Sequence, residues 1–478
     1  MSFTSLTFLF YFFPIAIILY SIVPKRFKNG LLLLLSLFFY SWGEPVYLFL
    51  MLYSAFFNYF MAIQINNEQF GIKFIHSRRQ KREEARFYFV CLLVFNLSIL
   101  AFFKYYGFLI DNVNMIFRTN LQIVDLGLPF GISFYTFKII SYMADVYTGK
   151  TPPQKSFTNF ALYVCIFPQV GAGPIVQYSD MAKELLVRRP SPDLFGRGVE
   201  KFILGLGKKV LIANNLALVW SSVKASPDLK MSAMTAWLGI IAFTLQIYFD
   251  FSGYSDMAIG LGNMFGFKWA ENFNYPYISK SATEFWRRWH ISLGNWFKTY
   301  IYFPLGGSKC SPRKHLRNIF VVWMVTGLWH GASWNFVVWG LYFGLIIYLE
   351  KIKLGKILKK LSPKVQLLYC LLIVVLGWVM FDLEGVSQIG RFYSRLLVFG
   401  SSGLIDGNAL YILKTSWKLF VLAIIGASPF VLGLINNVKS RFGRGGYAFL
   451  SVCYLLIFLL SVASLVGDSY SPFLYFKF

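Results

Sequence analysis

The segment IFVVWMVTGLWHGASWNFVVWGLYFGLIIYL, residues 319–349, decides the fold that we expect for this chain. Its apolar run is interrupted near the middle by HGAS, residues 330–333, and basic clusters flank it at 309–317 and 351–364. Because basic loops stay on the cytoplasmic side of a membrane, the segment should cross an even number of times. Helical arms of about 16 and 24 Å are too short to span a bilayer core of about 30 Å. We therefore predict a re-entrant helical pair with His330 near mid-membrane.

The composition of the whole chain is typical of a membrane protein. Of the 478 residues, 57% are hydrophobic, 20% aromatic and only 14% charged, which is more apolar surface than a soluble domain can bury. We expect one all-α transmembrane domain over 1–478, a polytopic helical bundle of roughly 10 to 13 membrane segments including re-entrant pieces. The predicted spans lie near 5–23, 30–42, 46–64, 88–109, 126–147, 158–177, 200–220, 233–252, 366–382, 417–436 and 447–466.

The net charge of +25 comes from short clusters of Lys and Arg between the apolar runs. This distribution is typical of cytoplasmic membrane loops, so anionic membrane lipid is the expected partner and no nucleic-acid partner is expected. One predicted span follows the last cluster, which places the tail 467–478 outside the cytoplasm. The clusters lie at 25–28, 78–86, 309–317, 351–364 and 439–444.

His330 is the histidine that lies deep in an apolar region. An ionisable side chain inside a membrane usually faces a cavity and marks a functional site. One interpretation is structural, with a neutral imidazole hydrogen-bonding two helices. The other is catalytic: because desolvation lowers the pKa of histidine, the ring stays unprotonated and can take a proton from an attacking hydroxyl.

His290 lies in the segment EFWRRWHISLGNW, residues 284–296. Read as one helix, the segment has an apolar aromatic face and an ion pair between Glu284 and Arg287 or Arg288, which predicts an interfacial helix. The two arginines either bind lipid phosphates or attract an anionic donor such as a CoA thioester. In the second case His290 is a further catalytic or positioning group. The predicted apolar face consists of Phe285, Trp289, Leu293 and Trp296.

Several polar side chains occur in an apolar context upstream of this segment, between 246 and 256. Asp250 with Tyr254, and Ser252 with Asp256, are i,i+4 pairs that can hydrogen-bond along a helix face. They either satisfy one another's hydrogen bonds or take part in chemistry directly. The residues that we interpret as tunnel lining and support are Asp250, Ser252, Tyr254, Asp256, Trp329 and Asn295.

Other site classes find little support in the sequence. No HExxH, CxxH or carboxylate cluster suggests a bound metal, and no GxxxxGK[ST] phosphate loop suggests ATP-driven transport. His76 lies beside the basic loop 78–86 and His315 within the basic cluster 309–317, so both are expected to be solvated. The aromatic tail 473–478 either lies at the membrane interface or presents Tyr475 to a partner or to an acyl group.

Five stretches together resemble the membrane-bound O-acyltransferases, most closely the bacterial alginate and polysaccharide O-acetyltransferase group. They follow the family order and cover roughly residues 125–340. The stretches are LPFGISFYTF at 128–137, FPQVGAGPI at 167–175, DFSGYSDMAIGL at 250–261, the segment 284–296 and GLWHGA at 327–332.

The resemblance implies a funnel-shaped helical fold with a tunnel that joins a cytoplasmic donor site to an outer acceptor site. It implies that His330 matches the near-universal histidine of the family and His290 the second histidine. Acetyl-CoA is the implied donor substrate, with no bound cofactor. The implied acceptor is an extracytoplasmic polysaccharide or cell-wall glycan at the cell membrane, reached through an SGNH-type acetyltransferase partner, and Tyr475 is the implied acyl carrier.

Three alternatives to polysaccharide O-acetylation stay open at this stage. A D-alanyl exporter for teichoic acid would use a carrier-protein thioester as its donor. A secondary transporter would also use polar groups at mid-membrane, but its expected inverted repeats are not evident in the sequence. A purely structural membrane scaffold would bind and turn over no thioester.

Overall fold

The structure is a computed structural model that describes residues 1–70, 78–124, 126–226, 230–397, 403–467 and Phe473. These residues are dominated by helices, and no β-strand occurs among them. The all-α class expected from the sequence is confirmed. Tyr475, the proposed acyl carrier, lies outside the described residues.

The described helices pack into two compact units. The first comprises Met1–Val199 and Ala258–Ala270, and the second comprises Glu200–Met257 and Glu271–Phe478. The helices that begin in the first unit are α1 (Phe13–Ile22), α2 (Lys28–Ser41), α3 (Pro45–Phe70), α4 (Arg78–Phe117), α5 (Ile132–Tyr147), α6 (Phe157–Cys165), α7 (Phe167–Val170), α8 (Tyr178–Leu186) and α9 (Pro192–Gly207).

Two features fix the packing of the first unit. Asn58 on α3 and Asn96 on α4 are buried, and each side-chain amide donates to the carbonyl oxygen of the other, at 3.1 and 2.8 Å. Gly131 precedes α5 with a φ of 70°, and a Cβ there would lie 1.9 Å from the carbonyl oxygen of Val170. Since only glycine fits this approach, two of the motif stretches, 128–137 and 167–175, meet at this point.

The second unit carries both histidines of interest. A π-helical segment, Lys208–Ala213, joins α9 to α10. The later helices are α10 (Asn214–Lys224), α11 (Ala233–Met264), α12 (Ala282–Arg288), α13 (Ile291–Phe297), α14 (Pro312–His330), α15 (Trp334–Leu349), α16 (Gly355–Leu358), α17 (Pro363–Asp382), α18 (Val386–Leu396), α19 (Gly407–Gly426) and α20 (Phe430–Gly467).

Helices α14 and α15 form a tight hairpin over the segment predicted to be a helical pair. A Cβ at Gly327 would lie 2.2 Å from the carbonyl oxygen of Phe336, and one at Gly340 would lie 2.3 Å from that of Trp323. The two backbones therefore touch where each helix carries a glycine, as small residues allow in membrane helices. The connection is only Gly331, Ala332 and Ser333, and this places His330 at the tip of the hairpin.

Among the described residues, seven helices are long and apolar enough to cross a membrane. The chain is accordingly a multi-pass membrane protein. The larger number predicted from the sequence included shorter pieces, such as Phe8–Ile22 and the hairpin arms, which are not among the seven. The seven are Pro45–Asn66, Arg82–Phe117, Pro192–Lys224, Ala233–Met264, Pro363–Asp382, Gly407–Gly426 and Phe430–Gly467.

Two of the predicted spans are wrong because each contains a helix break formed by apolar residues. The span 158–177 breaks after Cys165, where Pro168 in the first turn of α7 cannot donate a backbone hydrogen bond. The span 417–436 breaks after Gly426, and Pro429 stands immediately before α20. The basic cluster 439–444, predicted as a loop, lies within α20 and bends the chain at Gly443, where φ is 49°. Hydropathy alone does not detect these interruptions.

The contact between α14 and α15 predicts that even a methyl group disturbs the hairpin. We expect Gly340→Ala to lower the stability of the solubilised protein by roughly 1–3 kcal/mol, since the added Cβ meets backbone atoms that cannot move aside. Gly390→Ala, on α18, is the matched control because no atom lies within 4 Å of its added Cβ. Thermal unfolding of both variants measures the effect. Equal melting temperatures for Gly340→Ala and the wild type would contradict the described packing.

Candidate active site

His330 is the last residue of α14 and is enclosed by aromatic rings. Its side chain is buried, with a relative exposure of 4%. The centroids of the Trp329, Trp339 and Phe381 rings lie 4.9, 5.1 and 5.2 Å from that of the imidazole. The helix stops directly after it because Gly331 adopts an extended backbone beneath the Phe336 ring. The hairpin therefore holds this imidazole in an apolar setting.

The helix predicted for 284–296 is wrong, because the chain breaks at His290. Helix α12 ends at Arg288, α13 begins at Ile291, and His290 adopts the left-handed conformation with φ 45° and ψ 54°. This conformation is uncommon for a residue with a side chain and is held by surrounding structure. The apolar face predicted from Phe285, Trp289, Leu293 and Trp296 is packed inside the protein, since all four side chains are buried.

Asn272 holds the break in place. Its backbone carbonyl accepts from the Ile291 amide at 2.9 Å, and its side-chain oxygen accepts from the Ser292 amide at 3.1 Å. The same side-chain oxygen lies 3.2 Å from Nδ1 of His290. Since an amide oxygen only accepts hydrogen bonds, the proton of His290 sits on Nδ1 and Nε2 is the basic nitrogen.

The electrostatic environment keeps His290 neutral. The residue is 2% exposed and lies outside the seven candidate membrane-spanning helices. Burial lowers the pKa of His290 to about 3, because desolvation disfavours the charged imidazolium. The ring is therefore an uncharged base at neutral pH.

Trp329 brings the two histidines together. Its ring centroid lies 4.9 Å from that of His330 and 5.9 Å from that of His290. The sequence predicted Trp329 only as a supporting residue, and the structure places it against both imidazoles. Both imidazoles therefore pack against one indole ring.

Two carboxylates stand on α11, the buried Asp250 and the half-buried Asp256, and lysines that the sequence interpretation missed bind them. Asp250 pairs with Lys209 at 2.6 Å, and their side chains are 3% and 5% exposed. Asp256 pairs with Lys208 at 2.6 Å and with Lys201 at 3.1 Å. A detectable signal existed: adjacent lysines within the predicted span 200–220 require carboxylate partners elsewhere in the bundle.

Two glycines let the lysines reach these carboxylates. A Cβ at Gly205 would lie 2.5 Å from the carbonyl oxygen of Gly253, and one at Gly253 would lie 2.7 Å from that of Gly205. The end of α9 therefore lies directly on α11. Ser252, also on α11, is buried at this level.

Comparison with known proteins identifies the family. A sequence model of the family described as "MBOAT, membrane-bound O-acyltransferase family" matches residues 150–359. The probable alginate O-acetylase AlgI of Azotobacter vinelandii is 36% identical over 512 aligned positions, which cover 100% of both chains. The chain belongs to the membrane-bound O-acyltransferase family.

Two further relatives of this O-acyltransferase differ in coverage. The peptidoglycan O-acetyltransferase of Helicobacter pylori is 32% identical, over 98% of this chain and 96% of its own. The teichoic acid D-alanyltransferase of Bacillus subtilis is 29% identical, over 45% of this chain and 57% of its own. The resemblance predicted from the five stretches is confirmed, and the protein is an enzyme, so the transporter and scaffold alternatives are set aside.

The two arginines predicted to face the donor differ in the structure of this O-acyltransferase. Arg288 already has partners within the protein: its guanidinium pairs with Glu284 at 2.9 Å and donates to the carbonyl oxygen of Asn274 at 3.1 Å. Arg287 is exposed on the same helix. The sequence interpretation treated the two arginines alike, but Arg288 is half-buried in an ion pair and Arg287 is exposed.

A lysine and a histidine stand on the side of the unit that carries Arg287. Nζ of Lys351 lies 3.4 Å from Nε2 of His315, whose ring nitrogen lies 3.1 Å from the Tyr302 hydroxyl. Burial lowers the pKa of Lys351, and the nearby Arg287 charge lowers it further. His315, expected to be a solvated loop residue, is half-buried here.

The remaining predicted residues fall in different places. Asn295 is exposed on α13. Tyr254 is buried and stacks on Phe473, with ring centroids 4.8 Å apart. Phe473 also packs on Phe251, at 5.9 Å, and Phe251 packs on His290, at 4.7 Å. Phe473, the one described residue of the segment 473–478, therefore contacts Phe251, which packs directly on His290.

The buried pair of Lys209 and Asp250 predicts strong coupling between two substitutions. We expect Lys209→Met and Asp250→Leu each to cost roughly 3–5 kcal/mol of stability, because each leaves one charge buried without its partner. The double variant should recover much of that loss, since it removes both charges. Thermal unfolding of the four proteins gives the coupling.

The matched control is the pair of Lys224 and Asp382, whose lysine is 42% exposed. Lys224→Met should cost less than about 1 kcal/mol, since water screens this pair. Additive losses at Lys209 and Asp250 would contradict the pairing.

Proposed function

We propose that the protein transfers acetyl groups from cytoplasmic acetyl-CoA to hydroxyls of an extracytoplasmic polysaccharide at the cell membrane. The observation that carries the proposal is the pair of buried imidazoles on Trp329, in a chain whose full-length relatives bear the names of alginate and peptidoglycan O-acetyltransferases. A neutral histidine is suited to remove a proton from an alcohol.

His330 is the proposed general base. Its imidazole takes the proton of the acceptor hydroxyl as the oxygen attacks the thioester carbonyl carbon. The new C–O bond forms, the C–S bond breaks, and the thiolate of CoA leaves and recovers the proton from the imidazolium. The enclosing rings limit the access of water, which disfavours hydrolysis of the thioester.

His290 is the proposed assisting group. Its Nδ1–H donates a hydrogen bond to Asn272. In this proposal Nε2 accepts a hydrogen bond from the acceptor hydroxyl or from the acyl donor. The surrounding support consists of the ion pairs of Asp250 and Asp256, the first of them buried, which fix α11. Phe251 on that helix contacts the imidazole directly.

The donor approaches the cytoplasmic side of the second unit in this proposal. Arg287, Lys351 and His315 supply cationic and hydrogen-bonding groups that suit the phosphates of CoA. Arg288 has a structural role because its guanidinium already binds Glu284. The basic clusters on both sides of the hairpin support the cytoplasmic assignment of this surface.

The tail is proposed to lie outside the cytoplasm and to pass the acetyl group onward. Phe473 packs on Phe251 and Tyr254, and Tyr475 follows two residues later in the sequence. The Tyr475 hydroxyl is the proposed acceptor of the acetyl group from CoA. An SGNH-type partner would then move the acetyl group from this ester to the polysaccharide.

A second candidate function is D-alanyl transfer to teichoic acid. The similarity to the teichoic acid D-alanyltransferase supports it, but that similarity covers less than half of this chain. The acetyltransferase relatives match throughout, and this favours acetyl transfer.

Loss of the base tests the proposal. We expect His330→Ala to lower the acetyl ester on the cell-surface polysaccharide at least about 100-fold, because general base catalysis is worth that much or more. The measurement is acetate released by mild base from washed envelopes, normalised to the abundance of the protein. His76→Ala is the control and should leave the ester unchanged. Wild-type acetate from His330→Ala would end the assignment, and release of D-alanine instead of acetate would favour the second candidate.

The acyl-carrier role of the tail has its own test. Tyr475→Phe removes one hydroxyl, and we expect it to abolish the ester on the polysaccharide while the protein still accumulates in the membrane. Tyr470→Phe is the matched control on the same tail and should retain the ester. If Tyr475→Phe supports normal acetylation, the acceptor hydroxyl must approach His330 directly and the tail carries no acetyl group.

A further inference from the structure

A pocket of about 240 Å³ opens on the first unit, where α1 ends and α2 begins. It lies among the last turn of α1, the first residue of α2, the loop before α9 and the end of α11. None of the predicted active-site residues lines it. The lining residues are Ile17, Tyr20, Ser21, Lys28, Pro190, Ser191, Pro192, Phe195 and Met264.

Two cations converge on the tyrosine in the pocket wall. Nζ of Lys28 stands 4.3 Å from the centroid of the Tyr20 ring, and the guanidinium carbon of Arg188 stands 5.7 Å from it. Arg188 lies outside the lining and is fixed by its bonds: Nε donates to the Tyr20 hydroxyl at 2.9 Å and Nη1 donates to Asn29. Its Nη2 is buried without a hydrogen-bond partner. The positive charge at this end of α1 is thus held rigidly.

Among the described residues, no carboxylate forms an ion pair with Lys28 or Arg188. Glu184, which interacts electrostatically with Arg188, accepts from the backbone amide of Lys268 at 3.1 Å. Asp193, in the first turn of α9, is exposed to solvent. Burial lowers the pKa of Lys28, and the charges of Arg188 and Lys25 lower it further. An anion in the pocket would relieve this repulsion.

The surface beside the pocket is apolar. Ile15, Ile18 and Ile22 on α1 are 52, 57 and 74% exposed. Directly after them the chain becomes basic, at Pro24-Lys25-Arg26-Phe27-Lys28. A hydrocarbon face that ends in a cluster of cations matches the boundary between acyl chains and phosphates in a bilayer. A soluble phosphate ester has no acyl chain to pack against the exposed isoleucines.

We propose that this pocket binds the phosphate of an anionic phospholipid, whose acyl chains lie along the exposed face of α1. Lys28 supplies the charge-assisted hydrogen bond to the phosphate. Ser21 and Ser191 also line the pocket, and serine hydroxyls are suited to a glycerol headgroup. Arg188, behind Tyr20, adds positive potential and positions the ring.

The test is the thermal shift that lipid produces in the purified full-length protein. Dioleoyl-phosphatidylglycerol added to the detergent-solubilised protein should raise its melting temperature by several degrees, and the zwitterionic dioleoyl-phosphatidylcholine should not, because a bound ligand stabilises the folded state. Lys28→Gln should lose at least half of that shift, and Lys28→Arg should keep it. Lys314→Gln, which removes an exposed charge from another basic cluster, should behave as the wild type.

Three outcomes would overturn the proposal. An equal shift in Lys28→Gln and the wild type would show that the lipid binds elsewhere. An equal shift with phosphatidylcholine would remove the requirement for an anion. The same Lys28-dependent shift with soluble glycerol 3-phosphate would assign the pocket to a soluble phosphate ester. If lipid-free Lys28→Arg melts at a lower temperature than the wild type, substitution at this position disturbs folding. The shift that phosphatidylglycerol produces in Ser191→Ala is then compared with the shift in the wild type. A smaller shift supports binding in the pocket, and an equal shift overturns it.

Discussion

A polar side chain inside an apolar helical bundle must find its partner within the protein, because hydrocarbon offers none. The bond between Lys209 and Asp250 meets this requirement with full charges, and the exchange of amides between Asn58 and Asn96 meets it with neutral groups. His290 meets it through Asn272, which directs the proton to one ring nitrogen. The polar groups of the candidate site therefore occupy positions that the bundle itself specifies. This is the electrostatic preorganisation that catalysis in a dry site requires.

Close backbone contact is the geometric counterpart of this pairing. Lysines on the π-helical segment reach α11 because Gly205 and Gly253 carry no side chains, and the hairpin closes because Gly327 and Gly340 face each other. Small residues at helix contacts act in this way throughout membrane proteins. The result is that His330 and Trp329, at the end of α14, keep a fixed position against His290.

Much of the architecture could be predicted from the sequence because the relevant signals are local. Charge at both ends of 319–349 and the interruption at 330–333 were sufficient to predict the hairpin and the location of His330 at its tip. The first arm is longer than predicted, because α14 already begins at Pro312 within the basic cluster. The break at His290 could not be predicted in this way. The aromatic spacing from Phe285 to Trp296 fits a helix, and the interruption depends on bonds to Asn272 and Asn274, which only the folded chain brings near. The partners of Asp250 and Asp256 are likewise non-local, about 40 to 55 positions earlier in the chain.

The left-handed backbone at His290 has a consequence for how this enzyme can vary. Glycine and asparagine adopt that conformation readily, whereas most other residues resist it. Replacing the imidazole by a methyl group would therefore alter the course of the chain between α12 and α13 as well as remove a base. Asparagine would remove the base while preserving the turn. The backbone conformation and the assisting role proposed for His290 thus both limit which residues this one position can accept.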